Sequence, residues 1–425
     1  MPRPGDVLTL DIEKPAAGGR MLARHDGQVA LVAGAIPGER VAARVEQVRG
    51  GVLFARVEHI DEASPDRRSG DVDPGCGGSF YAHIAYERQL SLKREIVLDA
   101  FQRIGKLAVE CPVDVHASPE HGYRMRARLH VHGHRIGFYR EATHDLCDPA
   151  TSRQLLDSTL DLIAGVSKAL GDGKIESGAT LDLSENVDAS ERAILLDLKA
   201  DARERGRWNE LLGIAGATGV AIARGGRLVA GRGDPVVHDV VAAPGGASNA
   251  GVRLGRHVGA FFQGNRYLLQ TLVDRVLMFV PDGPLCDLYA GSGLFGVTYA
   301  ATGRGEVDAV EADALAADDL RVNAMPYAES VRVHRAPVER FLAARGALDG
   351  RTVILDPPRT GLSPESCELV AAAGAGRVIY VSCDPATLAR DARRLTSGGY
   401  RLSALEMFDL FPVTPHVETL GVFDR

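Results

Sequence analysis

Apolar and polar residues alternate along 7–13 (VLTLDIE), and the same period of two returns at 28–33, 40–48 and 52–57. A period of two is that of a strand with one buried face. Gly18-Gly19, Gly34, Gly38 and Gly50-Gly51 separate these runs. Short, evenly spaced strands joined by glycine turns predict a small β-barrel over residues 1–60. Residues 61–84 are polar and read as a linker. A helical spacing follows over 85–104, through Leu90, Ile96, Val97, Ala100 and Phe101. Alternation returns over 123–140, with a turn near Gly133. Between 151 and 260 the pattern predicts a helix at 152–170, strands at 180–183 and 193–198, and a glycine-interrupted β stretch at 229–241. The run Pro244-Gly245-Gly246-Ala247-Ser248 reads as a closing loop.

The last third changes character. Apolar runs at 284–290, 306–311, 331–335, 351–356 and 377–383 alternate with helical segments. This is the signature of an open, doubly wound, Rossmann-like sheet, whose ligands lie at the strand carboxyl ends. The expected architecture is α/β overall. A barrel occupies 1–60, a central α+β domain 61–260, and the doubly wound domain 261–425.

Composition narrows the setting. The net charge of −7 argues against broad nucleic-acid binding without excluding a local basic face. Such a face exists at 123–140, which holds five Arg, three His and no acid. With Tyr123 and Tyr139 interleaved, it fits phosphate contact, and Tyr123, Arg124, Arg126 and Arg128 are the candidate RNA ligands. A solvated basic strand is the plainer alternative. No apolar run is long enough to span a bilayer, and the opening MPRPGDVLTLDIEKP does not read as a signal peptide. The six Cys form no disulfide-like framework, so reduced thiols in a cytoplasm are expected. A monomer is expected, with no metal site. His238 and His257 are isolated and read as structural.

The chemistry sits at the strand ends. Gly291-Ser292-Gly293-Leu294-Phe295-Gly296 allows a tight turn and close ligand approach at a helix start. By itself this pattern also suits a dinucleotide. Asp287, four residues earlier, can receive an ammonium group. Glu311, ending the next strand, can accept two ribose hydroxyls. Together they favour S-adenosylmethionine. Asp356-Pro357-Pro358-Arg359 and Ser382-Cys383-Asp384-Pro385 end two further strands. Methylating carbon 5 of a pyrimidine needs a thiolate to add at carbon 6 and a base to take the carbon 5 proton afterwards. Cys383 is the candidate nucleophile and Glu418 the candidate base. Because the thiolate is the attacking form, a Cys383 thiol that is lowered, or deprotonated on demand, is expected.

These motifs resemble the RNA uracil-5-methyltransferase family, which makes 5-methyluridine in ribosomal or transfer RNA. The resemblance rests on Phe262-Gln263-Gly264-Asn265, Asp287-Leu288-Tyr289-Ala290-Gly291-Ser292-Gly293, Asp356-Pro357-Pro358-Arg359-Thr360-Gly361, the run from Tyr380 through Cys383 to Asp391, and Asp409-Leu410-Phe411-Pro412 with His416-Val417-Glu418. The amino terminus resembles a TRAM domain, an RNA-binding barrel, around Gly18-Gly19-Arg20 and 35–41. The resemblance implies Cys383 as nucleophile and Glu418 as base. It implies that Gln263, Tyr289, Glu311 and Asp356 line the cofactor and target pocket, and that the partner is a structured RNA loop from which the uridine is flipped.

One departure stands out. Ribosomal members of the family carry a four-cysteine iron–sulfur site. Here Gly70 and Ser79 stand at two of its positions, leaving Cys76 and Cys147. Two thiolates cannot hold the cluster, so none is expected. Met125 also replaces the Asn that usually follows Tyr-Arg. Three rival readings remain: an RNA cytosine-5-methyltransferase, a catalytically silent RNA-binding or RNA-folding protein, and a dinucleotide oxidoreductase.

Overall fold

The computed structural model describes residues 2–69, 75–141, 143–171, 178–199, 208–244 and 251–425. Gly70 and most of the loop after Pro244 lie outside the described residues. Strands β1 (Val7–Pro15), β2 (Met21–His25), β3 (Gln28–Ala33), β4 (Arg40–Arg49) and β5 (Val52–Glu62) close into a barrel in the order β1-β2-β3-β5-β4. Their alternation turns Leu10, Ile12, Met21, Ala23, Val32 and Val41 inward. The sequence pattern does not reveal β2, which is only five residues, MLARH. At Gly19 (φ +91°) a Cβ would fall 2.8 Å from a Pro415 side-chain carbon, so the barrel turn packs directly on the carboxyl-terminal segment.

Helix α1 (Tyr86–Ala100) continues into a π-turn, Phe101–Gly105, and then β6 (Val113–His116). The central sheet follows. It comprises β7 (Arg126–His132), β8 (Arg135–Tyr139), β9 (Leu146–Cys147), β10 (Ala179–Glu185), β11 (Arg192–Leu198), β12 (Gly219–Arg224) and β13 (Arg227–Gly233), in the order β13-β12-β11-β10-β7-β8-β9. Its apolar face, Ala127, Leu129, Val131, Leu181 and Leu183, packs on Leu162, Ile163 and Val166 of α2 (Asp157–Leu170). The short helix α3 (Trp208–Leu212) precedes β12, and a two-stranded ribbon of β14 (Val236–Val241) and β15 (Val252–His257) leads onward.

The remaining elements are α4 (Leu269–Met278), β16 (Leu285–Leu288), α5 (Gly296–Ala300), β17 (Val307–Glu311), α6 (Ala314–Ala324), β18 (Val331–Arg335), α7 (Val338–Arg345), β19 (Thr352–Leu355), α8 (Pro364–Ala372), β20 (Arg377–Ser382), α9 (Pro385–Ser397), β21 (Arg401–Phe408) and β22 (Glu418–Asp424). Their sheet runs β18-β17-β16-β19-β20-β22-β21-β6. Its central strands read as continuous apolar runs because both faces are covered. Leu285, Ile354, Ile379 and Val381 face α4, α5 and α6. Cys286, Leu288, Val378 and Tyr380 face α1, α7, α8 and α9. The expected doubly wound sheet is therefore present, with β22 antiparallel to β20.

Two expectations are corrected here. A boundary at 261 leaves α1 and β6 in the central domain. Instead β6 pairs with β21, and Val97, Ala100 and Phe101 join the last domain's core. Nor are the six thiols all free. Cys76 and Cys147, separated by 71 positions, form a disulfide with Cα atoms 5.7 Å apart. Chain folding, not spacing, brings them within bridging range. Among the described residues, no helix is long and apolar enough to cross a membrane.

Candidate active site and RNA-facing strands

The candidate cofactor side begins where β16 ends. Tyr289 (φ +63°) and Gly291 (φ +55°) take left-handed backbone conformations that turn the chain sharply. A Cβ at Gly293 would strike Val297 and Leu320, so that glycine lets the turn pack on α5 and α6. A Cβ at Gly291 would meet nothing within 4 Å, so the loop there faces open space. Asp287 is buried. Its Oδ2 accepts from the Gly296 N–H at 2.8 Å, and its Oδ1 has no partner. Burial pushes its carboxyl up to about 7, the Gly296 bond opposing and the Asp356 and Glu311 charges adding. Glu311 receives the Gly291 N–H at 2.9 Å and the Asp313 N–H at 2.7 Å. Each carboxylate oxygen has a second lone pair left to accept from a hydroxyl.

The candidate target side is assembled from three loops. Gln263 donates to Asp356 Oδ2 at 3.1 Å. Burial raises the Asp356 carboxyl to about 7 despite that bond, with Glu311 adding to the rise. The Asp356 loop is tied down by Asp391, whose Oδ2 accepts from the Leu362 N–H and the Tyr380 hydroxyl, both at 2.9 Å. Asn265 locks the Gln263 loop to the carboxyl-terminal segment, donating to Leu410 O at 3.0 Å and Ser118 Oγ at 2.9 Å. Lys93 of α1, wholly buried, bonds Asp409 and donates to Phe411 O at 3.0 Å. Nothing in the local sequence around Lys93 signals this contact.

Cys383 lies just past β20. Asp384 caps α9 by accepting from the Ala386 and Thr387 N–H groups, and Pro385 occupies the first turn. This cap stops the strand at the thiol. Ser382 pairs with Thr419 across β20 and β22, and the Thr419 hydroxyl donates to Ser382 O at 3.0 Å. One step further, the antiparallel register sets Glu418 opposite Cys383, on the same sheet face. Burial pushes the thiol up to about 12; Glu418 and Asp356 add to this, and Arg359 opposes them. The ligand-free thiol is therefore raised, not lowered, and deprotonation on demand is the form of the expectation left standing. Glu418 is 3% exposed, and its carboxyl is raised well above the ordinary range by burial, then by Asp356, with Arg359 opposing. Arg359 is exposed and acts on Cys383, Glu418 and His416 alike. Its place in the Asp-Pro-Pro-Arg run is its only sequence signal.

The basic strand is tied inward more than its composition suggests. Tyr123 is wholly buried, its hydroxyl donating to Gln154 and to Pro412 O, which removes it from the RNA-contact reading. Arg124 donates to Gln154 Oε1 at 2.7 Å and to Arg126 O, and its guanidinium lies 5.2 Å from the Phe138 ring. Arg126 donates to Ala260 O and covers Phe261. Arg128 remains largely exposed but makes a two-pronged bond to Asp182 at 2.7 and 3.0 Å. Internal acceptors thus occupy all four predicted contacts at least in part.

Comparison with known proteins bears on this arrangement. Residues 346–425 match the family model described as tRNA (Uracil-5-)-methyltransferase, and residues 3–57 match the TRAM domain. The 23S rRNA (uracil(1939)-C(5))-methyltransferase RlmD of Pseudomonas putida is 33% identical over 440 residues, covering 99% of this chain and 94% of its own. The chain belongs to the RNA uracil-C5-methyltransferase family. Another member, the RlmD of Alkalilimnicola ehrlichii, is 34% identical, over 96% of this chain and 94% of its own. The tRNA (uracil-54, C5)-methyltransferase of Pyrococcus abyssi, solved in complex with S-adenosyl-L-homocysteine, shares the fold with a TM-score of 0.76 at 24% identity, over 98% of this chain and 100% of its own. As a family member the chain is an S-adenosylmethionine-dependent RNA (uracil-5-)-methyltransferase, and the silent and dinucleotide readings fall.

The residues present fit that cofactor. Asp287 Oδ1 and Ser292 Oγ are buried without partners beside a loop that faces open space, and Glu311 has acceptor capacity to spare. They do not fit a four-thiolate iron–sulfur cluster. Cys76 and Cys147 are bonded to each other, and Ser79 offers a buried hydroxyl where a thiolate is needed. Among the described residues, no group of three or more His, Cys, Asp or Glu could hold a metal ion.

Proposed function

We propose that this enzyme methylates carbon 5 of a uridine in large-subunit ribosomal RNA, with Cys383 as nucleophile and Glu418 as general base. The ribosomal target is supported by relatives named for 23S rRNA that align along nearly the whole chain. The observation that carries the chemistry is the pairing of Ser382 with Thr419, which brings Cys383 and Glu418 together on one face.

S-adenosylmethionine, when bound, supplies an electrophilic methyl group. The Cys383 thiolate forms a bond to carbon 6 of the uracil, and the electron pair of the 5,6 double bond moves toward the carbonyl, making carbon 5 nucleophilic. Gln263 and Asp356, bonded to each other, present an amide and a carboxyl to the polar edge of the base. Once carbon 5 carries the methyl group, Glu418, which must be in its carboxylate form at this step and whose charge Arg359 favours, takes the carbon 5 proton. The double bond re-forms and the thiolate leaves. Arg359 counters the negative charge that collects among Cys383, Asp356 and Glu418. The buried, proton-rich resting state is consistent with a site whose thiolate forms only after the RNA is in place.

The test is methyl transfer from labelled S-adenosylmethionine to unmodified large-subunit ribosomal RNA fragments and to bulk transfer RNA, with the product nucleoside identified by mass. Label in 5-methyluridine of the ribosomal fragments, lost in Cys383→Ala, is the expected result. Label in 5-methylcytidine, label confined to transfer RNA, or an active Cys383→Ala enzyme would overturn the corresponding part of the reading.

A further inference from the structure

The outward face of β7 carries more than its arginines. Arg126, Arg128, His130 and His132 alternate with the buried Ala127, Leu129 and Val131, so the four polar side chains share one half-open face. His130 pairs with Gly137 of β8, which has no side chain to fill the space. The ring of Tyr139 lies across it, stacked on His130 with centroids 3.5 Å apart and planes at 10°. His132 flanks the same ring at 5.8 Å, its Nε2 lying 3.4 Å from the Tyr139 hydroxyl. His144, exposed in the following loop, meets its edge at 5.2 Å. Three imidazole rings are thus gathered around one tyrosine on an open sheet face. No step of the proposed reaction uses them.

We infer that His130, His132, Tyr139 and His144 form a docking platform for single-stranded RNA, on which a base stacks while the imidazoles meet phosphates. The platform rests on the RNA-methylating reading above and says where the flanking strand of the substrate lies. Charge complementarity selects the partner. The face presents Arg126, Arg128 and Arg135 with the three imidazoles, and two acids are set against it, Asp182 of β10, bonded to Arg128, and Asp197 of β11, which also acts on Arg128. Aromatic stacking with adjacent cations is the recurrent means of holding single strands. Position supports it as well. Arg124 bridges to Asn265, so β7 starts at the Gln263 loop. At about 3.3 Å per residue, His130 stands some 13 Å further out than Arg126. An RNA chain leaving the target pocket would run along this row.

His130 makes the platform sensitive to protons. His130 is held below the ordinary 6.5 by burial, then by His132, Arg128 and His144, with Asp182 opposing. Bound phosphates would reverse that balance and favour the charged ring. Affinity should therefore rise as pH falls from 8 to 6.

The experiment measures binding of a fluorescein-labelled 12-nucleotide oligouridylate to the full chain by anisotropy at pH 6, 7 and 8, at constant salt. Wild type is expected to bind roughly 10-fold more tightly at pH 6 than at pH 8, as the added charges engage phosphates. The triple variant H130Q/H132Q/H144Q should lose that dependence. Tyr139→Ala should weaken binding roughly 10-fold at every pH, and Tyr139→Phe should restore it, because stacking needs the ring and not the hydroxyl. The dissociation constant for S-adenosylhomocysteine, unchanged within about two-fold in each variant, verifies folding, since none of these residues lies in the cofactor loop. A triple variant that keeps the wild-type pH response, or Tyr139→Ala with unaltered RNA affinity, overturns the platform. The two readings fail separately. A wrong reaction shows in the nucleoside product, whatever the anisotropy gives. A wrong platform shows in anisotropy while 5-methyluridine still forms.

Discussion

Glu418 begins β22 directly opposite Cys383, one step past the Ser382–Thr419 pair, and adds to the thiol's cost of ionising after burial. A thiol held up to about 12 is almost entirely protonated at neutral pH. Alkylation of Cys383 by iodoacetamide, followed by peptide mass, should accelerate about 10-fold per pH unit between 7 and 10. In Glu418→Gln no carboxylate can form beside the thiol, so alkylation at the alkaline end of this range, where Glu418 ionises, should be faster than in wild type. A slower reaction would place the carboxylate elsewhere.

The same variant separates the two chemical roles. Glu418→Gln should still join RNA through Cys383 but fail to release it, leaving a covalent complex resistant to denaturing electrophoresis. Cys383→Ala should form neither complex nor product. The gel assay checks both, and a Glu418→Gln enzyme with wild-type turnover would remove Glu418 from the reaction.

Asp287 and Asp356 have folded-state carboxyls near 7, against an ordinary 3.8. The folded protein therefore holds protons that the unfolded chain releases between those values. Their contribution to stability is complete below about pH 4 and is lost as pH rises through 7. The melting temperature of the ligand-free protein should fall between pH 6 and 8. Asp356→Asn, which removes one buried charge, should raise it at pH 8 by roughly 2–4 °C while abolishing methylation. Scanning calorimetry across this range checks the sign.

Lys93 and Asp409 form an ion pair with no exposed side-chain surface on either partner. Lys93→Met strands the Asp409 carboxylate and should cost about 3–5 kcal/mol. Lys93→Met with Asp409→Leu should recover part of that, because the pair is then replaced and not broken. Urea unfolding of the single and double variants measures the difference. The segment Lys93 holds is also the one Asn265 ties to the Gln263 loop, so methylation should fall more than S-adenosylhomocysteine binding.

The Cys76–Cys147 bridge fastens the segment after the barrel to the edge of the central sheet, beside the Gly77 N–H bond to Tyr139 O. Closing a loop of 71 positions stabilises by up to about 4 kcal/mol in the chain-entropy model. Reduction with dithiothreitol should lower the melting temperature, and Cys76→Ser should do the same without further response to reductant. Iron and acid-labile sulfide should be absent from protein purified without oxygen; their presence in stoichiometric amount would restore a cluster.

Much of the site was legible because its chemistry is written in short runs at strand ends. Asp287 lies next to the end of one apolar strand and Glu311, Asp356 and Cys383 close or follow others, and the sheet order brings those ends to one edge. The basic strand was legible in composition but not in role. Tyr123 and Arg124 look like RNA ligands until Gln154 and Pro412 are seen to occupy them. His130, His132 and Tyr139 are unremarkable in sequence, since stacking depends on which strand lies beside which.

The sequence by itself determined the barrel, the doubly wound sheet and the identities of the nucleophile and base candidates. Period, glycine turns and strand-end residues are local properties, and local properties are carried by neighbours along the chain. Only the tertiary structure decided which distant groups meet. It joined Lys93 to Asp409, Cys76 to Cys147 and β6 to β21, and it raised the Cys383 thiol by enclosing it with two carboxyls. Each of these depends on burial and on long-range closure of the chain, and neither leaves a mark on the residues nearby in sequence.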